Sequence, residues 1–208
     1  MRRHIMFAAA VMALGWTVTP ASADDIISEW STVKAPAAPA LKAVTLEPKT
    51  TALLMLDFLK PNCGVRPHCM ASLPAAKQLL GAARAAKATV IYSYFGKFTA
   101  ADIVEPDLAP LPGEASVTSF ADKFLNTDLD KLLHDKGITT VIVAGTSSNG
   151  AILYTGTGAA LRGYNVVVPV DAVSSADSYS EQFSLWQLAN GPTFGQKVSI
   201  SRTSMIHF

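Results

Sequence analysis

The residues best suited to chemistry lie between positions 140 and 151, in the sequence TVIVAGTSSNGA. An apolar run ends there in a Gly-led loop of hydroxyl side chains, and small residues follow. This order predicts a buried strand, a turn and a helix start, and the amides of such a helix start commonly face a ligand in α/β proteins. Ser147, Ser148, Asn149 and Gly150 are therefore predicted ligand-binding residues.

A serine nucleophile is one chemistry that this loop could support. Ser147 stands where the G-x-S-x-G elbow of α/β hydrolases carries its serine, and Asp171 and His207 follow in the Ser, Asp, His order of that class. However, Asn149 replaces the second glycine of the elbow, and His207 is the penultimate residue. Helix capping by Ser147 and Ser148 is the alternative that involves no catalysis.

Asp57 ends a second apolar run, TALLMLD, over residues 51–57. The carboxyl ends of parallel strands meet at one sheet edge, so we expect Asp57, the loop after Gly145 and Asp171 to lie along that edge. A carboxylate at a dry strand end can act as the base that activates a thiol or a water molecule. It can also be structural, by capping a helix or pairing with a cation, and both interpretations of Asp57 stay open.

The chain has two cysteines, Cys63 and Cys69, in the sequence NCGVRPHC. In an exported protein a disulfide that closes this short loop is the leading interpretation, and a reactive Cys63 is the alternative. A metal site would need more ligands than the two cysteines and His68, and none lies at a suitable spacing. We therefore predict no metal and no other cofactor.

Residues 1–23 have the charged, apolar and A-x-A order of a secretory signal peptide, which predicts a periplasmic or secreted protein. The whole chain has 17 Lys plus Arg and 16 Asp plus Glu, so removal of Arg2 and Arg3 leaves 15 against 16, a net charge of −1. This balance argues against binding to nucleic acid or an anionic membrane. No second apolar segment is long enough to span a membrane once the signal peptide is removed.

The elements that must position these residues alternate along one domain over residues 49–208. An extended arm or linker over residues 24–48 precedes it. The alternation predicts an α/β three-layer fold with a mostly parallel sheet and helices on both faces. Strands are predicted at 51–57, 88–95, 139–144, 165–170 and 197–202, a short apolar stretch at 116–119, and helices at 72–87, 127–137, 149–161 and 178–188.

Several segments, in this order, resemble the isochorismatase-like, or cysteine hydrolase, superfamily. They are LLMLD at 53–57, FLNTDLDKLL at 124–133, GITTVIVAG at 137–145, and residues 155–171, which contain ALRGYNVVVPVD. The resemblance extends from about Thr50 to the C-terminus. It implies a Rossmann-like, six-stranded parallel sheet, a homo-oligomer, and hydrolytic chemistry such as that of nicotinamidases, carbamoyl- and ureido-compound amidohydrolases and isochorismatases.

The amidohydrolases of this superfamily use an Asp, a Lys and a nucleophilic Cys. The resemblance places the Asp at Asp57. It places the Lys at Thr118, six residues before Phe124, and the Cys at Ala151, six residues after Gly145. One member of the triad is therefore kept.

The remaining positions of the superfamily pattern also differ in this chain. The glutamine two residues after the Asp is Leu59, and the metal-binding Asp-His-His pattern of nicotinamidases has no counterpart. Lys60 and Lys123 lie near the site in sequence and could supply a cation, although neither stands at the superfamily position. We count Lys60 and Thr118 among the predicted ligand-binding residues.

Two hypotheses follow for the function. In the first, the protein has lost thiol catalysis, is a pseudoenzyme, and binds a small ligand or a partner. In the second, it is a non-covalent hydrolase with Asp57 as general acid or base; isochorismatases also lack the Cys, although they keep the Lys. We expect no thiol-dependent amidase activity, and a cation within hydrogen-bonding distance of Asp57 would favour the second hypothesis.

Overall fold

The structure is a computed structural model that describes residues 25–208, so the signal peptide predicted at residues 1–23 lies outside the described residues. The chain divides into two compact units, Met1–Pro36 and Ala37–Phe208. In the first unit, the described part holds one short helix, α1 (Ile26–Glu29). Asp25 caps it, because its Oδ1 accepts a hydrogen bond from the Ser28 amide at 2.9 Å.

The second unit alternates strands and helices. Its strands are β1 (Val44–Thr45), β2 (Thr51–Leu56), β3 (Thr89–Tyr94), β4 (Ala115–Thr118), β5 (Thr140–Thr146), β6 (Asn165–Pro169), β7 (Val173–Ser174), β8 (Val198–Ser201) and β9 (Ile206–His207). Its helices are α2 (Lys60–Cys63), α3 (Pro67–Ala85), α4 (Leu129–Asp135), α5 (Leu153–Leu161) and α6 (Ser178–Asn190), with a π-helical turn at Ser148–Ile152. Short 3₁₀ turns lie at Pro48–Thr50, Ala100–Asp102, Pro106–Leu108, Gly195–Lys197 and Thr203–Met205.

The main sheet is parallel and has the strand order β4-β3-β2-β5-β6-β8. It contains seven strands rather than the six that the resemblance implied, because the short strand β7 also pairs with β5. The pairing of β5 with β6 ends at Ile142, opposite Val167. That leaves the end of β5 unpaired on this side, and β7 binds there, with Val173 opposite Gly145.

Helices cover both faces of the sheet, which confirms the predicted α/β three-layer fold. All six residues of β2 are buried. Leu54 and Leu56 belong to the apolar core that also holds residues of α4, α5 and α6. Leu53 and Met55 point into the second core, which holds the buried face of α3. A strand that is buried on both faces is expected to be a continuous apolar run.

One helix begins earlier than the apolar pattern predicts. Helix α3 begins at Pro67 rather than at residue 72. Proline is favoured in the first helical turn because its backbone angle suits the helix and its missing amide needs no partner there. No helix within residues 25–208 is long and apolar enough to cross a membrane.

The second half of the predicted arm lies along the C-terminal end of the chain. The Lys42 amide donates to the Ile200 carbonyl at 2.9 Å, and the Ser201 hydroxyl donates to the Lys42 carbonyl at 2.7 Å. Strand β1 then pairs in parallel with β9, with Val44 opposite Ile206.

Candidate active site

Asp57 lies directly after β2, at the carboxyl edge of the sheet. Its backbone is in the left-handed region, with φ of 55°, a conformation that Asp tolerates better than most residues. Its side chain is buried and accepts two hydrogen bonds. The Ser93 hydroxyl, at the end of β3, donates to Oδ1 at 2.8 Å, and the Lys123 ammonium donates to Oδ2 at 2.7 Å.

Lys123 is fully buried; the exposed fraction of its side chain is 0%. Its Nζ also donates to the Ser119 carbonyl at 2.9 Å, so the ammonium has a second oxygen ligand besides Asp57. Its backbone amide donates to the Thr155 hydroxyl of α5 at 3.1 Å. Lys123 is therefore held at both ends, by the acid that it neutralises and by the helix that carries Ala151.

The loop between β4 and α4 brings Lys123 back toward the sheet. Asp122 Oδ1 accepts a hydrogen bond from the Phe124 amide at 3.0 Å, and the Leu125 amide donates to the Asp122 carbonyl at 3.2 Å. Phe124 is buried in the core, where its ring stacks on Tyr164 with centroids 6.3 Å apart. This tight turn places Lys123, rather than Thr118, beside Asp57.

Thr118 and Lys60 are not part of this contact. Thr118 is exposed at the end of β4. The Lys60 ammonium donates to the Ala101 carbonyl at 3.2 Å. Of the two lysines that could supply a cation, the structure brings Lys123 to Asp57 and directs Lys60 elsewhere.

Burial moves the two pKa values toward each other. Desolvation raises the pKa of Asp57 above its ordinary value, against the opposing effects of the Lys123 charge and of the hydrogen bonds from Lys123 and Ser93. Desolvation lowers the pKa of Lys123, against the charge and hydrogen bond of Asp57. When two pKa values are drawn together, a proton moves between the groups at a lower cost, which suits acid–base chemistry.

Ala151 lies in the π-helical turn that precedes α5, and it is 4% exposed. It stands four residues before Thr155, so the two side chains lie one turn apart on the same side of the helix. The Thr155 hydroxyl accepts the Lys123 amide. Ala151 therefore lies one turn before the residue that binds the Lys123 backbone.

The hydroxyl loop joins β5 to this helix through a cis peptide bond between Thr146 and Ser147. The Ser147 carbonyl accepts hydrogen bonds from the amides of Gly150 at 3.1 Å and Ile152 at 3.2 Å. The Ser147 hydroxyl does not cap the helix, so the capping interpretation of Ser147 does not hold. Ser148 Oγ is buried and has no hydrogen-bond partner among the described residues.

Asn149 connects this loop to the segment before α6. Its Oδ1 accepts a hydrogen bond from the Ser175 hydroxyl at 2.9 Å, and its Nδ2 donates to the Ser180 hydroxyl at 3.3 Å. Gly150 is partly buried, and a Cβ added there would lie 2.8 Å from Ser147 Oγ. Both residues shape the loop.

The serine, aspartate and histidine of the elbow hypothesis are not joined to one another. Both carboxylate oxygens of Asp171 are occupied by Thr203: Oδ1 by its amide at 2.9 Å and Oδ2 by its hydroxyl at 2.6 Å. His207 is exposed on β9. Within residues 25–208, no hydrogen bond connects Ser147, Asp171 and His207.

Cys63 and Cys69 are joined by a disulfide, with an S–S distance of 1.99 Å. Both residues are buried, and because they are bonded to each other neither is a free thiol. The loop that they close packs on the strand edge. Asn62 Nδ2 donates to the Asp57 carbonyl at 3.1 Å, and Arg66 Nη1 donates to the Thr146 hydroxyl at 3.5 Å.

Residues 51–200 match the family model of the isochorismatase domain. The chain belongs to the isochorismatase family. Since that model covers most of the chain, the match confirms the resemblance drawn from the sequence motifs. A comparison with curated proteins found no significant relative.

Solved structures of isochorismatase-family proteins share the fold. A cysteine hydrolase from Pseudomonas syringae pv. phaseolicola is 24% identical, with 81% of this chain and 95% of that chain covered and a TM-score of 0.69. An isochorismatase family protein from Burkholderia thailandensis is 24% identical, with 78% and 95% covered and a TM-score of 0.64. N-carbamoylsarcosine amidase from Thermoplasma acidophilum is 20% identical, with 74% and 95% covered and a TM-score of 0.62.

A second feature of this isochorismatase-family fold is an open cavity of about 760 Å³ on the outer side of α5. Its lining includes Asn149, Leu153, Arg162, Phe183 and Phe194, but neither Asp57 nor Lys123. Asn149 is the one predicted ligand-binding residue that lines it. The cavity is therefore separate from the Asp57–Lys123 pair.

Sequence reasoning missed two residues of the site. Ser93 is a hydroxyl inside the apolar strand sequence TVIYSY, and that break in the apolar pattern was a usable signal. Arg66 lies in the disulfide loop, where its contact with Thr146 depends on the folded path of that loop.

Proposed function

We propose that this protein is an isochorismatase-family hydrolase that works without a thiol nucleophile, with Asp57 as general acid or base. The observation that carries the proposal is the buried contact between Asp57 Oδ2 and Lys123 Nζ, at 2.7 Å. The contact supplies the cation that the sequence pattern lacked at Thr118. It favours the catalytic hypothesis over the pseudoenzyme hypothesis.

Ala151 takes the place of the nucleophilic cysteine in this proposal. A methyl group forms no covalent intermediate, and both cysteines of the chain are in the disulfide. The attacking group is therefore water. Asp57 takes a proton from the water as its oxygen bonds to the electrophilic carbon of the substrate, and then returns that proton to the leaving group as the bond to that group breaks.

Lys123 has two roles in this mechanism. Its ammonium keeps Asp57 available in the ionised form, against the desolvation that raises the pKa of that carboxyl. It also fixes the carboxylate, together with Ser93, so that one lone pair faces the reacting water. A carboxylate with a raised pKa is a stronger base than one in water, which improves proton abstraction.

We also propose that the mature protein begins at Asp24 and acts in the periplasm or after secretion. The charged, apolar and A-x-A pattern of residues 1–23 supports this. Mass spectrometry of the protein recovered from the native compartment tests it, since an intact Met1 there would contradict cleavage. A homo-oligomer is proposed from family membership, and light scattering on the eluted protein measures it.

The enzymatic proposal is tested with a panel of amides, ureides, esters and enol ethers. We expect wild-type turnover that iodoacetamide leaves unchanged and that Asp57→Asn abolishes. Asp171→Asn is the matched control. Asp171 lies at the same sheet edge, but its carboxylate accepts hydrogen bonds from Thr203. Loss of turnover in Asp171→Asn with Asp57→Asn active would favour the Ser147 elbow and contradict the proposal.

Ligand binding without turnover is the second candidate function. The observation in its favour is that Asp57 and Lys123 neutralise each other, with side chains 6% and 0% exposed. No turnover on the panel, combined with thermal stabilisation by a panel compound, would support this function.

A further inference from the structure

Arg66 is a half-buried cation that pairs with no carboxylate within residues 37–208. Its one side-chain hydrogen bond to the described residues joins Nη1 to the Thr146 hydroxyl, at 3.5 Å. A guanidinium has five N–H donors, so most of them remain available. A partly desolvated arginine with free donors favours a planar anion, because the two can form paired hydrogen bonds.

Arg66 and Asp57 lie at the same edge of the sheet. Strands β2 and β5 pair with Leu56 opposite Gly145, so Asp57 and Thr146 are the next residues on two neighbouring strands. Neighbouring strands are about 4.8 Å apart. The Arg66 guanidinium, in contact with Thr146, is therefore within reach of a small molecule that also contacts Asp57.

Two buried hydroxyls next to Thr146 have no hydrogen-bond partner among the described residues: Ser148 Oγ and Ser174 Oγ. These residues are 0% and 1% exposed. Ser174 is the register partner of Thr146 on β7, and Ser148 is two residues beyond it. Buried hydroxyls usually have partners, so two such hydroxyls near Thr146, the residue that Arg66 contacts, favour a polar ligand at this position.

The loop that carries Arg66 is held at two points. The Cys63–Cys69 disulfide closes it across six positions. His68 Nδ1 lies 2.8 Å from Glu181 Oε1 of α6, and the Glu181 carboxylate also accepts the Ser175 amide at 2.8 Å. A guanidinium on a fixed loop loses less conformational entropy when it binds a ligand.

We propose that Arg66 binds a carboxylate of the ligand, with the hydroxyls of Ser148 and Ser174 as additional hydrogen-bond donors. This inference rests on the proposed function and names its substrate class: a small molecule that carries a carboxylate besides the group that reacts at Asp57. Arg66 determines specificity, and Asp57 performs the proton transfer.

Binding of simple carboxylates tests the inference without turnover. The probes are acetate and benzoate, compared with acetamide and benzamide, and the readouts are calorimetric Kd and Tm. We expect both carboxylates to bind the wild type and both amides to bind at least tenfold more weakly. Arg66→Gln should lose at least tenfold in carboxylate affinity, and Arg66→Lys should lose less, since it keeps the charge without the planar fork.

Arg202→Gln is the matched control, because Arg202 is an exposed arginine on another loop. Equal weakening by Arg66→Gln and Arg202→Gln would mean a general charge effect and would overturn the inference. Carboxylate affinity that Arg66→Gln leaves unchanged would overturn it as well. Tighter Arg66-dependent binding of inorganic phosphate than of either carboxylate would overturn the assigned class.

Asp57→Asn separates this inference from the proposed function. The folded fraction of this variant should bind benzoate within threefold of the wild type, because Arg66 is intact. Arg66-dependent benzoate binding together with a substrate panel that shows no turnover would refute the hydrolase and support the carboxylate site. Asp57-dependent turnover of uncharged substrates, with no carboxylate binding, would support the hydrolase and refute the carboxylate site.

Discussion

Lys123 Nζ contacts Asp57 Oδ2 at 2.7 Å, although Lys123 stands five residues beyond Thr118, where the motif spacing placed the cation. A buried ion pair repays the cost of desolvation only when its remaining hydrogen-bonding groups are satisfied. Ser93 and the Ser119 carbonyl provide those partners. The chain therefore places an ammonium at the carboxylate, but from position 123 rather than from position 118.

Removal of one partner of this pair should be strongly destabilising. Lys123→Met leaves Asp57 buried without a cation, and we expect the free energy of unfolding to fall by about 3–5 kcal/mol near neutral pH. Urea denaturation measures this. Lys131→Met is the control, because the Lys131–Asp135 pair is exposed and should contribute little to stability. Similar losses in both variants would contradict the assigned burial of Lys123.

The pH dependence of kcat/KM should report Asp57. Burial raises the pKa of that carboxyl above 3.8, so a general base at Asp57 gives activity that rises with pH through a midpoint above this value. Lys123 opposes the shift, hence Lys123→Gln should move the midpoint to higher pH. A midpoint that stays in place in Lys123→Gln would rule out their coupling.

The same raised pKa makes the protein less stable as the pH rises, whereas activity should increase over that range. Asp57 binds its proton more tightly in the folded than in the unfolded chain, since burial raises the folded pKa. Its contribution to stability is therefore fully present below pH 3.8 and is lost as the pH rises through the folded pKa. The free energy of unfolding, measured across this pH range, should fall more with rising pH in the wild type than in Asp57→Asn.

A cysteine introduced at Ala151 should be reactive. Thr155, one turn beyond Ala151, binds the Lys123 backbone amide, and a nearby cation lowers the pKa of a thiol. Because the wild type has no free cysteine, Ala151→Cys carries a single thiol whose alkylation by iodoacetamide can be timed. Thr157→Cys, on the same helix, is the control, and equal alkylation rates would show that Ala151 is not beside the cation.

Gly145→Ala should prevent folding or destabilise the protein by more than about 4 kcal/mol. A Cβ at Gly145 would lie 1.9 Å from the Leu56 carbonyl oxygen, and its φ of +143° disfavours other residues. In contrast, a Cβ at Gly81 on α3 meets nothing within 4 Å. Gly81→Ala should therefore stabilise the helix by about 1 kcal/mol, and thermal unfolding of the two variants compares them directly.

The disulfide should contribute to both stability and binding. Replacing Cys63 and Cys69 by serine should lower the free energy of unfolding by about 2 kcal/mol, because the closed loop is short. It should also weaken benzoate binding, since the loop no longer fixes Arg66. Unchanged benzoate affinity in the folded double variant would show that His68 and Glu181 suffice to hold the loop.

The sequence predicted the layers, the family and the position of Asp57 at the end of a strand, because all three depend on regular elements. Apolar runs such as TALLMLD determine strands, and a strand end determines where Asp57 lies. The motif spacing placed the cation at Thr118, because counting residues assumes that the chain follows the same path as in the superfamily. The turn at Asp122 breaks that path, and its geometry depends on the packing of Phe124 against Tyr164. Arg66 was missed for the same reason, since its contact joins residues 80 positions apart.

The pairing of Thr51 with Thr140 in the two central strands has a consequence for the order of folding. Such distant contacts form slowly, because the intervening chain must first lose its freedom. Asp57 obtains Lys123 and the neighbouring strand β5 only from residues beyond position 120, whereas Ser93 on β3 precedes them. We therefore expect an N-terminal fragment that ends before position 120 to lack the Asp57–Lys123 ion pair, which should form only when the centre of the sheet is complete.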